Sequence, residues 1–301
     1  MIKNLSSLLN LAQGSKKKVA VAVAEDEVVL KAVKAAIDNK LAEFLLFGNR
    51  SELEGMCSEI GLTEGIEIIP TDNSAEAIAG AVEAIATGRA DLLMKGKVKT
   101  GDLLSVYLKE EYGLRTGRTM NLVSVFEIPG FDRLLIVTDA GMVIAPDLRQ
   151  KADSIVNASR VAAALGIKEP KVAVLGAIEV VNEKMPATME AAILSKMAQR
   201  HQLSDVEVDG PLALDNAVSK EAAKHKGIDS PVAGNADILI MPDIEAGNIF
   251  YKAMVFLGGA LVASTIMGGK VPIILTSRAD SDTTKLLSIA LNVLIAKGAS
   301  K

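Results

Sequence analysis

Side chains that could take part in catalysis or ligand binding follow several apolar runs that have the length of a β-strand. The last of these runs is the most informative. Residues 271–276 are mostly apolar, and a hydroxyl, a guanidinium and two carboxylates follow on Ser277, Arg278, Asp280 and Asp282. In open α/β sheets ligands bind at the carboxyl ends of strands, where the next helix offers free N–H groups to an anion. Arg278 could hold a phosphate through its planar fork, and Ser277 could donate to an oxygen that gains negative charge. The plainer interpretation is that Ser281 or Asp282 caps a helix and Arg278 is a solvated charge.

Three other polar segments follow apolar runs in the same way, at residues 95–100, 139–147 and 243–252. The first alternates three lysines, which could equally form a solvated edge. In the last, Gly247 would let the backbone approach a ligand closely, although an ordinary capped turn is the plainer interpretation. The candidate binding residues in the first and last of these segments are Lys95, Thr100, Asp243, Gly247, Asn248 and Lys252.

Short apolar runs alternate with helical patterns along most of the chain. The runs of strand length are residues 18–23, 42–47, 66–70, 91–95, 121–127, 133–138, 171–175, 237–241 and 271–276. The helical patterns include residues 26–39, 51–60, 74–87, 148–165 and 186–201. This alternation predicts an α/β fold, in which a mostly parallel sheet is covered by helices on both faces.

Turn and cap residues refine this prediction. Ser51 and Ser74 are expected to start two helices, while Gly88 and Gly166 are expected to follow the ends of two. The strands at 121–127 and 133–138 are separated by a turn-rich loop with no room for a helix, so they should pair as an antiparallel hairpin. After the hairpin, the stretch of residues 139–146 is expected to cross into a second α/β unit.

The composition limits the classes of function. The chain has 301 residues, about two domains by length, with 33 basic and 37 acidic side chains, a net charge of -4 and no Trp. This balance argues against a basic or aromatic face for nucleic acid, and no apolar stretch reaches the roughly 18 residues of a membrane span. One Cys and two His exclude an intrachain disulfide and leave too few ligands for zinc. Residues 1–17 do not have the pattern of a signal peptide, so the prediction is a cytoplasmic protein.

The polar segments, taken together with residues 209–217, resemble one family. The segments at residues 209–212, 242–248 and 276–278 occur in the order and composition found in phosphate acetyltransferases and phosphate butyryltransferases, and the butyryl-type members look closest. The resemblance implies transfer of a short acyl group between CoA and phosphate. It also implies two α/β domains like those of isocitrate and isopropylmalate dehydrogenases, with the active site in the cleft between them. On this basis residues 1–140 and 270–301 form the first domain and 141–269 the second.

The resemblance also implies roles for individual residues. The family's catalytic Ser-Arg pair falls on Ser277 and Arg278. In acetyl-specific members an Asp after this pair is the base for the CoA thiol, but the same offset lands here on Thr284. The carboxylates available nearby belong to Asp282, which we favour slightly, and Asp280. An arginine five residues after the family tyrosine is replaced here by Phe256, so the missing phosphate contact could come instead from Arg115 or Arg118.

The residue chemistry suits phosphorolysis of a thioester without a cofactor, because two substrates held in one cleft gain most of the acceleration from proximity. The predicted partners are acyl-CoA or CoA and inorganic phosphate, together with further copies of the chain in a homo-oligomer. The apolar, Gly-rich stretch of residues 256–269 could face such a partner. Neither a Gly-x-Gly-x-x-Gly segment after the first strand nor a P-loop is present in the sequence. The alternatives are an acetyl-specific enzyme, a metal-dependent hydroxyacid dehydrogenase of the same fold using Asp139, Asp147, Asp243 and Glu245, and a binding module without catalysis.

Overall fold

A computed structural model describes residues 2–275 and 280–298 of the chain. The chain forms two compact units. The terminal unit comprises Leu5–Gly117 and Ala263–Lys301, and the central unit comprises Met1–Asn4 and Arg118–Val262. Among the described residues, none of the helices is both long enough and apolar enough to cross a membrane.

Helices and strands alternate as the sequence predicts. The strands are β1 (Lys18–Ala22), β2 (Glu43–Gly48), β3 (Ile66–Pro70), β4 (Leu92–Lys95), β5 (Asn121–Glu127), β6 (Leu135–Thr138), β7 (Lys171–Leu175), β8 (Glu207–Leu212), β9 (Ile238–Ile240), β10 (Leu261–Met267) and β11 (Ile273–Ile274). The helices are α1 (Ser7–Ala12), α2 (Glu27–Asp38), α3 (Arg50–Glu59), α4 (Ser74–Ala86), α5 (Thr100–Tyr107), α6 (Leu148–Ala164), α7 (Pro186–Gln199), α8 (Leu214–Val218), α9 (Lys220–His225), α10 (Ile244–Phe256) and α11 (Asp282–Gly298). The α/β class is confirmed.

The sheet of the terminal unit has the strand order β3-β2-β1-β4-β11-β10. Neighbouring strands in this sheet are parallel, except that β10 runs antiparallel to β11. The central strands β1 and β4 are almost wholly buried, which explains why their sequences are continuous apolar runs instead of alternating ones. The carboxyl ends of β1, β4 and β11 therefore lie side by side.

The sheet of the central unit has the strand order β5-β6-β9-β7-β8. β5 and β6 form the predicted antiparallel hairpin, in which Ser124 lies opposite Val137, and the other pairs are parallel. Because β6 also pairs with β9, the hairpin belongs to this unit. The sequence places the domain boundary after residue 140 and returns the chain at 270, whereas the compact units divide after Gly117 and return at Ala263.

Two strands, β8 and β10, were not predicted from the sequence. β8 is interrupted by Gly210 and Pro211, which are rare inside strands, and β10 was interpreted as part of an apolar stretch, 256–269, available to a partner. In the structure Phe256 and Leu257 are 65% and 88% exposed, but β10 is buried apart from its first residue, Leu261. Most of the stretch from 256 to 269 is therefore core.

Asparagine, and not the predicted serine, caps two of the helices. The side chain of Asn49 accepts from the backbone N–H of Glu52 at the start of α3, and that of Asn73 accepts from Glu76 at the start of α4. Ser51 and Ser74 lie inside the first turns. The predicted ends are confirmed, since Gly88 and Gly166 have φ of 73° and 82°, the left-handed conformation that favours glycine after a helix.

Tyr107 anchors the turn between β10 and β11 within the terminal unit. Its hydroxyl donates to the carbonyl of Val271 at 3.1 Å and accepts from the N–H of the same residue at 3.3 Å. A Cβ atom on Gly269 would overlap the tyrosine hydroxyl, so glycine is required there. Burial raises the pKa of Tyr107 to about 12.

We expect Tyr107→Phe to lower the free energy of unfolding by about 1 kcal/mol at pH 7, because both polar backbone groups of Val271 lose their partner. Between about pH 10 and 12 the unfolded wild type releases the phenol proton while the folded protein retains it. Wild-type stability should therefore fall through this window, and the difference between the two proteins should shrink. Urea unfolding measures both effects, with Tyr112→Phe as the control. Equal stability at pH 7 would contradict this account.

Candidate active site

In the terminal unit the candidate residues follow neighbouring parallel strands. Ala22 at the end of β1 is in register with Lys95 at the end of β4, and Met94 is in register with Ile274 of β11. Lys95 and the carboxyl end of β11 thus lie at the same edge of the sheet. Ser277 and Arg278 lie outside the described residues, and the chain is described again from residue 280.

Lys95 closes the loop that leads from β4 into α5. Its Nζ atom donates to the carbonyls of Gly96 and Val98, each at 3.1 Å. Gly96 is buried, and a Cβ atom there would overlap the carbonyl of Val23, so the loop can pass the end of β1 only with glycine at this position. Thr100 then begins α5 and is partly buried, in a position where its backbone N–H has no partner within the helix.

The two candidate bases lie in the turn that begins α11. The hydroxyl of Ser281 accepts from the N–H of Thr284 at 3.1 Å, so Ser281 is the cap of the helix and Asp282 is its first residue. The side chain of Asp282 is 77% exposed. Asp280 and Asp282 are therefore both held beside the positive end of the helix dipole.

The candidate arginines occupy exposed positions, one in each unit. Arg115, in the terminal unit, pairs with Glu110 of the same surface turn at 3.5 Å. Arg118 belongs to the central unit, where its charge helps lower the pKa of Arg160, a shift caused mainly by burial.

In the central unit, the carboxylate of Asp139 organises the loop that follows β6. One oxygen accepts from the N–H groups of Gly141 and Met142 at 2.6 and 2.9 Å, and the other accepts from Leu122 and Val143 at 3.0 and 3.2 Å. Asp139 is only 6% exposed. Burial raises the pKa of its carboxyl, and the four N–H donors act in the opposite direction.

The first turns of α10 pack on the same loop. Asp243 caps the helix by accepting from the N–H of Ala246 at 2.8 Å. Gly247 is buried against Asp139, whose carbonyl a Cβ atom would overlap, so the close approach expected at this glycine is to the chain itself. The amide of Asn248 donates to the carbonyl of Ala140 at 3.0 Å. The structure therefore brings Asp243, Gly247 and Asn248 together in the first turns of α10, which pack on the loop after β6.

Contacts between aromatic residues pack the rest of α10 against the sheet. Phe126 of β5 is buried and makes edge-to-face contacts with Phe250 and Tyr251, at centroid distances of 5.7 and 5.4 Å. The ammonium of Lys252 lies 5.3 Å from the ring centroid of Tyr251 and 5.7 Å from that of Phe256. Phe256 thus forms one side of an aromatic surface under a positive charge.

A buried polar network behind Asp139 was missed in the sequence. Asn121, Thr138 and Asn157 are all fully buried. The amide of Asn157 donates to Asn121, whose own amide donates to the hydroxyl of Thr138. The sequence signal was an asparagine on the apolar face of a helical pattern, where buried amides are uncommon.

Known proteins are similar to this chain in sequence and in fold. The sequence matches the family described as Phosphate acetyl/butaryl transferase over residues 4–79 and 66–293. The chain belongs to this family. A phosphate acetyltransferase from Thermotoga maritima is 57% identical over 97% of this chain and 99% of its own, and a phosphate butyryltransferase from Clostridium acetobutylicum is 47% identical over 98% and 99%. The crystal structure of a branched-chain phosphotransacylase from Enterococcus faecalis has a TM-score of 0.83 at 33% identity, covering 93% of this chain and 99% of that one.

As a member of the phosphate acetyl/butyryl transferase family, the chain is a phosphate acyltransferase, and the family implies acyl-CoA or CoA and phosphate as substrates. The family segment at residues 209–212 has a structural role here. Asp209 accepts from the N–H of Gly210 at 2.8 Å, and Gly210 lets β8 pass close to the carbonyl of Val174 in β7.

The four carboxylates that could be imagined around a magnesium ion have other surroundings in this acyltransferase. They accept hydrogen bonds from backbone N–H groups or are exposed to solvent. Asp139 accepts four N–H groups, Asp147 caps α6 and Asp243 caps α10, while Glu245 is exposed. Within residues 2–275 and 280–298, no group of three or more His, Cys, Asp or Glu side chains is arranged to hold a metal ion. These contacts give the metal-dependent dehydrogenase alternative no geometric support.

Proposed function

We propose that the enzyme interconverts butyryl-CoA plus phosphate with butyryl phosphate plus CoA, by direct transfer in a ternary complex. The family match over nearly the whole chain carries the reaction class. A phosphate oxygen attacks the thioester carbonyl carbon, the carbon–sulfur bond breaks, and the sulfur leaves as the CoA thiolate, which takes up a proton. No covalent enzyme intermediate and no cofactor is needed if both substrates are bound together.

The residue roles follow from the family resemblance and from side-chain chemistry. Arg278 binds phosphate, Ser277 donates to the carbonyl oxygen as it becomes negative, and Asp282 or Asp280 exchanges the thiol proton. Support for this last role comes from the turn at the start of α11, where the cap by Ser281 holds both carboxylates beside the helix N-terminus.

The binding residues fall into two groups in this proposal. Those of the terminal unit are Lys95, Thr100, Arg115 and Asp280. Those of the central unit are Arg118, Asp243, Asn248 and Lys252, together with Gly247, whose part is to let the start of α10 pack on Asp139. The isocitrate dehydrogenase-like arrangement, the site in an interdomain cleft, the homo-oligomer and the cytoplasmic location stay predictions.

Two observations favour a butyryl-sized acyl group. The relatives include phosphate butyryltransferases at 47% and 45% identity, and a structurally similar protein is a branched-chain phosphotransacylase. In addition, the family resemblance implies that Phe256 replaces an arginine of acetyl-specific members, which makes the neighbourhood of Lys252 less polar. Acetyl-CoA is the second candidate, favoured by the 57% identity to a phosphate acetyltransferase.

The acyl preference can be tested by comparing kcat/KM for acetyl-, butyryl- and octanoyl-CoA at saturating phosphate. Burying two more methylenes at about 0.8 kcal/mol each predicts an advantage of about 15-fold for butyryl-CoA over acetyl-CoA. Octanoyl-CoA should react poorly once the pocket is full. A value for acetyl-CoA equal to or above that for butyryl-CoA would overturn the butyryl assignment and leave the phosphate acyltransferase class intact.

A further inference from the structure

Lys285 places an ammonium group inside the terminal unit, in the first turn of α11. Only 2% of its side chain is exposed. The Nζ atom donates to the backbone carbonyl of Asp280 and lies 4.0 Å from Oδ1 of Asp282. Taking an ammonium out of water is costly, and among residues 2–275 and 280–298 the polar groups beside Nζ are this carbonyl and one exposed carboxylate. The position of Lys285, directly under the turn that carries two candidate bases, points to a role in that turn.

The helix that carries Lys285 is held in one register by a second set of buried polar groups. Ser288 and Asn292 lie one and two turns after Thr284 on α11. The Ser288 hydroxyl donates to the carbonyl of Thr284 at 2.8 Å and accepts from the N–H of Ser264 in β10 at 3.0 Å. Asn292 accepts from the hydroxyl of Thr265 at 2.6 Å and donates to the carbonyl of Ser264 at 3.1 Å. Because these donors and acceptors are matched across the core, the start of α11 has a fixed position on the sheet.

Lys285 connects the turn before the helix to this fixed part of α11. Asp280 is reached through its backbone carbonyl, so the contact sets the path of the turn whatever its side chain does. Asp282 is reached through its carboxylate. These are the two residues that could exchange a proton with the CoA thiol. The same ammonium group binds the carbonyl of one and lies 4.0 Å from the carboxylate of the other.

We infer that Lys285 is a positioning residue for acyl transfer, an inference that rests on the proposed function. It fixes turn 280–282 so that the proton-exchanging carboxylate stands within reach of the thiol. Proton transfer in the transition state requires a heavy-atom separation near hydrogen-bond distance, and a displacement of about 1 Å can cost on the order of 100-fold in rate. The buried charge is retained for this geometry, at the expense of stability.

The test replaces Lys285 with methionine, which keeps the length of the side chain and removes its charge. Measured with butyryl-CoA and phosphate, Lys285→Met should lower kcat by about 10- to 100-fold and change KM by less than about threefold, because the lost effect belongs to the transition state. Its melting temperature should stay the same or rise, since an apolar side chain replaces a buried cation. Lys285→Arg keeps the charge and should recover part of the rate.

Lys297→Met is the matched control. Lys297 lies on the same helix and also donates from Nζ to a backbone carbonyl, that of Leu11 at 3.0 Å, but far from the turn that holds the two carboxylates. Its kcat should equal that of the wild type. Asp282→Asn and Asp280→Asn are each made alone and in combination with Lys285→Met. The replacement that removes the true base should lower kcat by a smaller factor in the double variant than it does alone, because Lys285 acts through that base.

The inference is overturned if folded Lys285→Met keeps wild-type kcat, or if its loss of activity only follows a smaller folded fraction at the assay temperature. Failure of the proposed function would look different. In that case the wild-type protein itself would not release free thiol from butyryl-CoA in the presence of phosphate.

Discussion

Asp139→Ala is expected to lower the free energy of unfolding by about 3 kcal/mol. The carboxylate accepts four backbone N–H groups, of which that of Leu122 lies in the buried start of β5 and the others in the loop after β6. A buried N–H that loses its partner costs roughly 1–3 kcal/mol, and the loop donors recover part of their loss by reaching water. Since Gly247 and Asn248 contact the same loop, activity should fall together with stability.

Asp147→Ala is the control for this prediction. Asp147 lies at the end of the same loop and accepts one N–H, that of Gln150 at 2.8 Å, as the cap of α6. Its loss should cost about 1 kcal/mol and little activity. Urea unfolding and the butyryl-CoA assay are measured on both variants. If the two replacements cost the same, Asp139 does not organise the loop.

Local patterns were sufficient to predict most of the fold. The parallel strands are continuous apolar runs because they are buried on both faces, and the helices between them repeat apolar residues at three- and four-residue spacing. The hairpin of β5 and β6 was predictable because residues 128–132 are too few for a helix. The two strands that were not predicted also have local causes. Gly210 and Pro211 interrupt the strand pattern of β8, and β10 lies within a longer apolar stretch that shows no strand boundary.

Site residues were harder to predict, because the sequence shows which groups are present but not which partners face them. Asp139 looked like a possible metal ligand, yet its oxygens are occupied by backbone donors that come from both sides of the hairpin. Gly247 looked suited to approach by a ligand, yet the atom it approaches is a carbonyl of its own chain. Lys285 gave no signal as a lysine in a helix, since its burial depends on how α11 packs.

The largest kinetic effects are expected at the Ser277-Arg278 pair. Ser277→Ala should lower kcat by about 100-fold with little change in the KM for phosphate, because a donor to the developing oxyanion acts only in the transition state. Arg278→Ala should lower kcat and also raise the KM for phosphate and for acyl phosphate, because it removes a charged fork that binds the phosphate in the ground state too. The two variants are thus distinguished by KM as well as by rate.

Arg278→Lys separates charge from geometry at this position. A lysine keeps the positive charge but not the planar pair of donors, so KM for phosphate should lie between those of the wild type and Arg278→Ala. Arg50→Ala is the control, since Arg50 is an exposed arginine that pairs with Glu54 one turn further along α3. It should match the wild type in kcat and KM. Wild-type kinetics in Ser277→Ala and Arg278→Ala, with native circular dichroism, would show that acyl transfer takes place elsewhere in the molecule.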